Sequence, residues 1–172
     1  KTWKQVLFTN NLSGVSDMVA DPSNPDKIFV SMWEHKRFPW SFESGGEGSG
    51  LYMTLDGGDT WKNIQGEGGL PKGDYGRIGL AIAHSRPDYI YALIENKNNG
   101  LYRSTDGGKT WELRAASAKE PNMGNRPFYY SSIYVDTKNE NRLYSLYSSV
   151  SRSEDGGKSW EVIIPYSGVH PD

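Results

Sequence analysis

The chain has no cysteine, so neither a disulfide nor a thiolate metal site is available to it, and the redox compartment is left open. It also lacks any apolar run near the ~18 residues a membrane-spanning helix requires, in keeping with a mean hydropathy of −0.70. Neither sign of charge dominates: 19 Lys and Arg against 21 Asp and Glu give a net charge of −2. A broad phosphate-neutralising surface is therefore not expected, and no nucleic-acid partner is assigned. The chain starts at Lys1 with neither Met nor a signal-peptide pattern, so an original N-terminus is expected to lie upstream. No segment has a convincing helical period either. What is abundant is glycine, 20 of 172 residues, together with 13% aromatics. That pairing points to many short strands joined by tight turns.

An internal repeat organises the chain. Thr54-Leu55-Asp56-Gly57-Gly58-Asp59-Thr60-Trp61 returns as Ser104-Thr105-Asp106-Gly107-Gly108-Lys109-Thr110-Trp111. It returns again as Ser153-Glu154-Asp155-Gly156-Gly157-Lys158-Ser159-Trp160, at a period of about 50 residues. Lys1-Thr2-Trp3 reads as the tail of a further copy. In each copy the glycine pair supplies the positive φ of a tight hairpin turn. The Asp carboxylate accepts backbone N–H groups within it, joined by the later Thr or Ser hydroxyl. The Trp opens the return strand and buries its ring between neighbouring sheets. A phosphate-binding loop is excluded, because no Lys-Ser/Thr and no helical pattern follow the glycines.

Between the boxes the sequence alternates as strands do. The first unit, 15–64, reads as strands at Val15 to Ala20, Lys27 to Trp33, Leu51 to Thr54 and Thr60 to Ile64. The second, 77–113, reads as Arg77 to Ala83, Tyr89 to Ile94, Leu101 to Ser104 and Thr110 to Leu113. The third, 128–163, reads as Tyr129 to Val135, Arg142 to Leu146, Val150 to Ser153 and Ser159 to Ile163. Four short strands per ~50-residue period are the signature of a propeller blade.

These residues carry a resemblance. The Ser/Thr-x-Asp-x-Gly-x-Thr/Ser-Trp repeat resembles the Asp-box, or BNR, repeat of β-propellers. On that motif Asp56, Gly58, Thr60 and Trp61, then Asp106, Gly108, Thr110 and Trp111, then Asp155, Gly157, Ser159 and Trp160, are structural positions. Asp74-Tyr75-Gly76-Arg77-Ile78-Gly79-Leu80-Ala81-Ile82 is similar to segments of the sortilin-like, secreted bacterial members. The resemblance implies an all-β, partial β-propeller: three four-stranded antiparallel blades plus one extra N-terminal outer strand at Thr2 to Phe8. It also implies a secreted or cell-envelope setting. Three blades do not close a ring that needs ~4–8, so the remaining blades of a parent chain, or another subunit, are expected partners.

Chain order sorts the loops. The Asp boxes and the short turns between the first two strands share one face. The opposite face carries loops of unequal length, Glu34 to Gly50, Glu95 to Gly100, Gln65 to Gly76 and Arg114 to Phe128. Loops that vary on a repeated scaffold are where binding concentrates. The candidate ligand-binding residues there are Trp33, Glu34, His35, Arg37, Trp40, Asp74, Arg77, Glu95, Arg126, Tyr129 and Tyr130. Aromatic rings beside charged groups suit a glycan or a protein ligand.

Catalytic signals are weaker. His35, His84 and His170 have no metal-ligand spacing, so no metal or cofactor is assigned. Glu34, Asp74 and Glu95 are the available carboxylates for glycoside hydrolysis. Arg77, Arg126, Tyr129 and Tyr130 have the chemistry of a sialidase site, but no motif aligns them. The resemblance implies, as alternatives to recognition, a sialidase- or xyloglucanase-like hydrolase completed by other blades, and a purely structural propeller.

Overall fold

In a computed structural model, residues 2–97, 99–124 and 132–167 are described. They form thirteen strands in three antiparallel sheets, with a single 3₁₀ turn at Pro121–Met123. The first sheet contains β1 (Ser13–Asp21), β2 (Asn24–Arg37), β4 (Gly50–Thr54) and β5 (Lys62–Asn63) in chain order, with β3 (Phe42–Ser44) pairing onto the far end of β2. The second runs β6 (Ile78–Ile82), β7 (Ile90–Ile94), β8 (Gly100–Ser104), β9 (Glu112–Ala116). The third runs β10 (Ser132–Val135), β11 (Leu143–Leu146), β12 (Val150–Ser153), β13 (Glu161–Ile164). Each is an up-and-down meander, and the leading strands lie together, β6 packed between β1 and β10. That places β1, β6 and β10 along a common axis with the sheets radiating from it.

The period of two along each strand decides which neighbour a side chain meets. In the middle blade Ile78, Leu80, Ile82, Ile90, Ala92 and Ile94 join Phe29 and Leu51 of the first blade in one core. Their alternates Ala81, Tyr91, Leu93 and Leu101 join Ile133, Leu143 and Trp160 of the third blade in another. Buried on both faces, β6 and β7 read as near-continuous apolar runs. The first and third blades each leave one face open: Val15, Met18 and Leu55 are exposed on one, Tyr134, Val162 and Ile164 on the other.

The Asp boxes are the joints. In the second, Asp106 Oδ1 accepts bonds from Ser104 Oγ (2.8 Å), Lys109 N (3.1 Å) and Thr110 N (2.8 Å), and Oδ2 accepts Thr110 Oγ1 (2.6 Å). Ser104 Oγ in turn accepts the buried Gly108 N–H, and Trp111 Nε1 donates to Gly108 O. The same web surrounds Asp56 and Asp155. Trp111 then stands edge-on to Phe29 of the first blade, ring centroids 6.4 Å apart. Gly108 has φ +94°, and a Cβ there would come within 2.7 Å of Phe29 Cζ. Gly157 likewise has no room, its Cβ meeting Leu101 Cδ2. Glycine is thus required twice over, for the turn and for blade-to-blade approach.

Side chains also close gaps between the leading strands. Asp17 Oδ2 accepts Leu80 N at 2.8 Å, and Ser31 Oγ donates to Ile78 O at 3.1 Å. Groups on the free edge of β6 are thereby satisfied from the first blade.

The structure departs from the sequence reading in three places. The outer strand expected at Thr2 to Phe8 is not formed; residues 2–12 lie outside every ladder, because no described strand lies beside them to pair with their backbone groups. The Glu34 to Gly50 loop is in large part a hairpin, since β2 runs on to Arg37 and β3 returns beside it. Each box Trp sits just before its return strand, held by its indole bond to the second box glycine. Residues 128–131 of the third unit, and with them the start of the strand expected at Tyr129 to Val135, lie outside the described residues.

Removing Asp106 (Asp106→Ala) is expected to cost roughly 1–3 kcal/mol by stranding turn donors. Trp111→Ala is expected to cost more, about 3–5 kcal/mol, because a buried ring is lost from the joint; urea unfolding of both variants checks the order.

The boxes also carry an acid signature. Hydrogen bonds from Thr54 and then Thr60 hold the Asp56 carboxyl well below its usual range. For Asp106, burial pushes upward, but the bonds from Thr110 and Ser104 outweigh it and bring the carboxyl to about 2. A lowered folded pKa stabilises above the unfolded value of about 3.9 and is lost as pH falls through the folded one. The urea midpoint is therefore expected to drop between about pH 4 and about pH 2, and Asp106→Asn to flatten that drop.

Candidate ligand face

The two faces of the blades differ as chain order implies. On one, each box is tied to the region joining the first two strands of its own sheet: Gly57 N–H donates to Asp26 O at the start of β2, and Gly107 N–H to Asp88 O and Gly156 N–H to Asn141 O in the turns. The opposite face carries the β2–β3 hairpin, the return segment 45–49 and the 65–76 connection.

Trp33 and His35 stack at 4.1 Å with 19° between planes, and Phe42 closes on both at about 6 Å. Trp33 Nε1 donates to Ser44 Oγ (2.9 Å), Ser44 Oγ donates to Glu95 Oε2 (2.6 Å), and Arg77 N donates to the same oxygen (2.8 Å). Glu95 thereby pins the hairpin base to the second blade. Glu34 holds the first blade's own segments: its Oε2 accepts Asn10 Nδ2 (2.8 Å) and Gly48 N (2.9 Å). The bond from Asn10, and then that from Gly48, keeps this carboxyl below its usual range. A general acid for glycoside cleavage needs the opposite shift.

The remaining candidates divide. Arg37 is exposed and lies over the Phe42 ring, 5.6 Å from its centroid. Trp40 is 83% exposed at the hairpin tip. Asp74 is exposed on the 65–76 connection, its backbone carbonyl accepting Asn96 Nδ2. Arg77 is half-buried and, with Ser16, Asp17 and His84, lines a cavity of about 380 Å³ between β1, β6 and β10. Trp33, Glu34, His35, Arg37 and Trp40 thus share the hairpin, Glu95 lies at its base, and Asp74 sits elsewhere on the face. Arg126, Tyr129 and Tyr130, and with them any convergence on Trp40, lie outside the described residues, as does His170. No group of three or more His, Asp or Glu suited to a metal occurs among the described residues.

The sequence reading missed a groove of about 490 Å³ lined by Gly46, Glu47 and Ser49 of the return segment together with Asn63, Gln65, Gly66, Lys72, Gly73 and Asp74. Its walls are built: Asn63 Oδ1 accepts Gln65 N, and Gln65 Nε2 donates to Gly73 O at 2.7 Å. The signal lay in a departure from the repeat. Asn63 and Gln65 stand where the later copies have Leu113 and Ala115, then Val162 and Ile164.

Radial four-stranded meanders around one axis, each closed by an Asp-box turn, define a β-propeller. This chain supplies three blades of an Asp-box β-propeller. The BNR/Asp-box repeat family matches residues 102–113, while no curated protein matches the chain by sequence. Among solved structures it is similar to a GH74 xyloglucanase from Xanthomonas campestris, with a TM-score of 0.65 and 17% identity over 94% of this chain. It is similar also to YCF48 bound to a D1 peptide, with a TM-score of 0.60 and 18% identity over 88%. YCF48 from Cyanidioschyzon merolae gives 0.57 and 18% over 95%. The chain spans 24% of the xyloglucanase and 40% of each YCF48. At these identities the likeness is one of fold.

Glu95→Ala is expected to lower stability by about 1–3 kcal/mol, since Arg77 N–H and Ser44 Oγ lose their acceptor. Trp40→Ala is expected to stay within about 0.5 kcal/mol of the parent, as exposed positions do; thermal unfolding separates the two.

Proposed function

We propose that this propeller recognises a ligand through the face bearing the hairpin and the polar groove, with a glycan the class that the groove fits best, in an extracellular or envelope setting. The supporting observation is the lining itself. Every residue around the groove is polar, charged or glycine. Amides, carboxylates and an ammonium suit vicinal hydroxyl groups, whereas a peptide anchor calls for an apolar pocket. Glu47, Lys72 and Asp74 are the charged side chains placed to engage a ligand, while Asn63 and Gln65 shape the wall. The fold is compatible with such use: its solved neighbours include a xyloglucanase and a propeller holding a peptide.

The competing reading is a glycoside hydrolase. Of the three candidate carboxylates on this face, Glu34 and Glu95 already serve as acceptors within the structure, which leaves Asp74. The groove's other carboxylate, Glu47, would have to act as its partner in hydrolysis.

Glycan-array binding with a parallel hydrolysis assay on the same glycans tests this. Binding without turnover is expected, with Asp74→Asn and Lys72→Ala each weakening it about tenfold, the scale of a lost charged hydrogen bond. Turnover abolished by Asp74→Asn would establish the hydrolase instead. Binding untouched by either variant would move the site away from the groove.

A further inference from the structure

The hairpin reaches beyond the blade. β2 pairs with β4 only as far as Met32 and with β1 as far as Glu34. Past that point His35, Lys36 and Arg37 pair with β3 alone. Three residue pairs carry the tip about 10 Å outward at ~3.4 Å per residue. The finger is held rigidly at its base, by the Trp33–His35–Phe42 cluster and by the Ser44 bond to Glu95.

Its end is a four-residue turn, Phe38-Pro39-Trp40-Ser41. Phe38 N–H donates to Ser41 O at 2.8 Å and Ser41 N–H to Phe38 O at 3.4 Å. Pro39 has no N–H to satisfy, so of the four residues only Trp40 is left with an amide hydrogen to bond. Trp40 and Phe38 stack on each other at 5.9 Å with 15° between planes, and both rings face solvent. Behind them come two cations, Lys36 and Arg37. Glu43, opposite Lys36, pairs with it only loosely at 3.9 Å.

We infer that this finger is an anchor for a membrane surface bearing anionic lipid. The tip is convex, so it has no pocket to offer a ligand, and its backbone is largely satisfied internally, which lowers the cost of leaving water. Trp at the boundary between headgroups and chains buries its ring while the indole N–H finds an ester oxygen. Cations set just behind the aromatics meet the phosphates. A single tip of this size gives reversible attachment, not insertion. This is a surface role, and it stands independently of the glycan reading of the groove.

Flotation of the chain with vesicles tests it. The chain is expected to float with phosphatidylcholine vesicles containing about one third phosphatidylserine, more weakly with phosphatidylcholine alone, and less at about 0.5 M salt. The Phe38→Ala, Trp40→Ala double variant is expected to reduce the bound fraction about tenfold. Arg37→Gln is expected to reduce binding to the anionic vesicles only. Asp74→Asn, in the groove, is expected to float like the parent, so the two proposals fail separately. Absence of flotation, or flotation unchanged by the double variant, overturns the anchor. Trp40-dependent self-association without flotation overturns it in favour of contact between protein chains.

Discussion

The structure depends on one joint, the seating of each Asp-box turn against the sheet before it. The glycine–tryptophan end of the second box lies on Phe29, and that of the third on Leu101 beside Trp160. A four-stranded meander has two apolar faces and cannot bury either alone. The box solves this by placing a flat ring and a side-chain-free backbone where the next sheet must approach closely. The carboxylate inside the turn holds that surface in shape, and it needs no contact with the neighbour to do so. Trp61 marks the contrast: with no described sheet before it, it is half-exposed although Asp56 holds its turn through Thr54 and Thr60 as the other boxes do.

A scaffold assembled this way leaves its two ends free for different purposes. The box face is spent on turns that hold one another. On the opposite face, residues 34–49 and 65–76 are released from the repeat, and there the chain places its polar groove and its aromatic finger. The charged residues there do not all face a ligand. Glu34 and Glu95 are acceptors that tie the hairpin to Asn10, Gly48, Ser44 and Arg77. Glu47, Lys72, Asp74 and Trp40 have no such duty, and much of the surface chemistry of the face rests with them.

The repeat was open to reading because its physics is local. Asp, two glycines, a hydroxyl and Trp within eight residues define a turn whatever surrounds it, and alternation in the intervening strands reveals three four-stranded units. The segment Thr2 to Phe8 carries the same local pattern and still forms no strand, because a ladder needs a neighbour that local pattern does not supply. The hairpin was hidden for the converse reason. Glu34 to Gly50 breaks the repeat and reads as a loop, while its pairing depends on register between residues five to nine apart and on a base clamped by Glu95 from another blade.

The amino-acid sequence by itself determined the all-β architecture, the number of boxes, their hydrogen-bonding residues and the division into an invariant face and a variable one. Each of these follows from contacts within a few residues. Tertiary structure alone decided which carboxylates are committed to the fold, that Glu47 from the return segment lines one groove with Asn63, Gln65 and Asp74, and that Trp40 stands clear of the blades on a finger. Those outcomes depend on which side chains from distant segments compete for the same donors and the same space, and that competition is resolved only when the sheets pack.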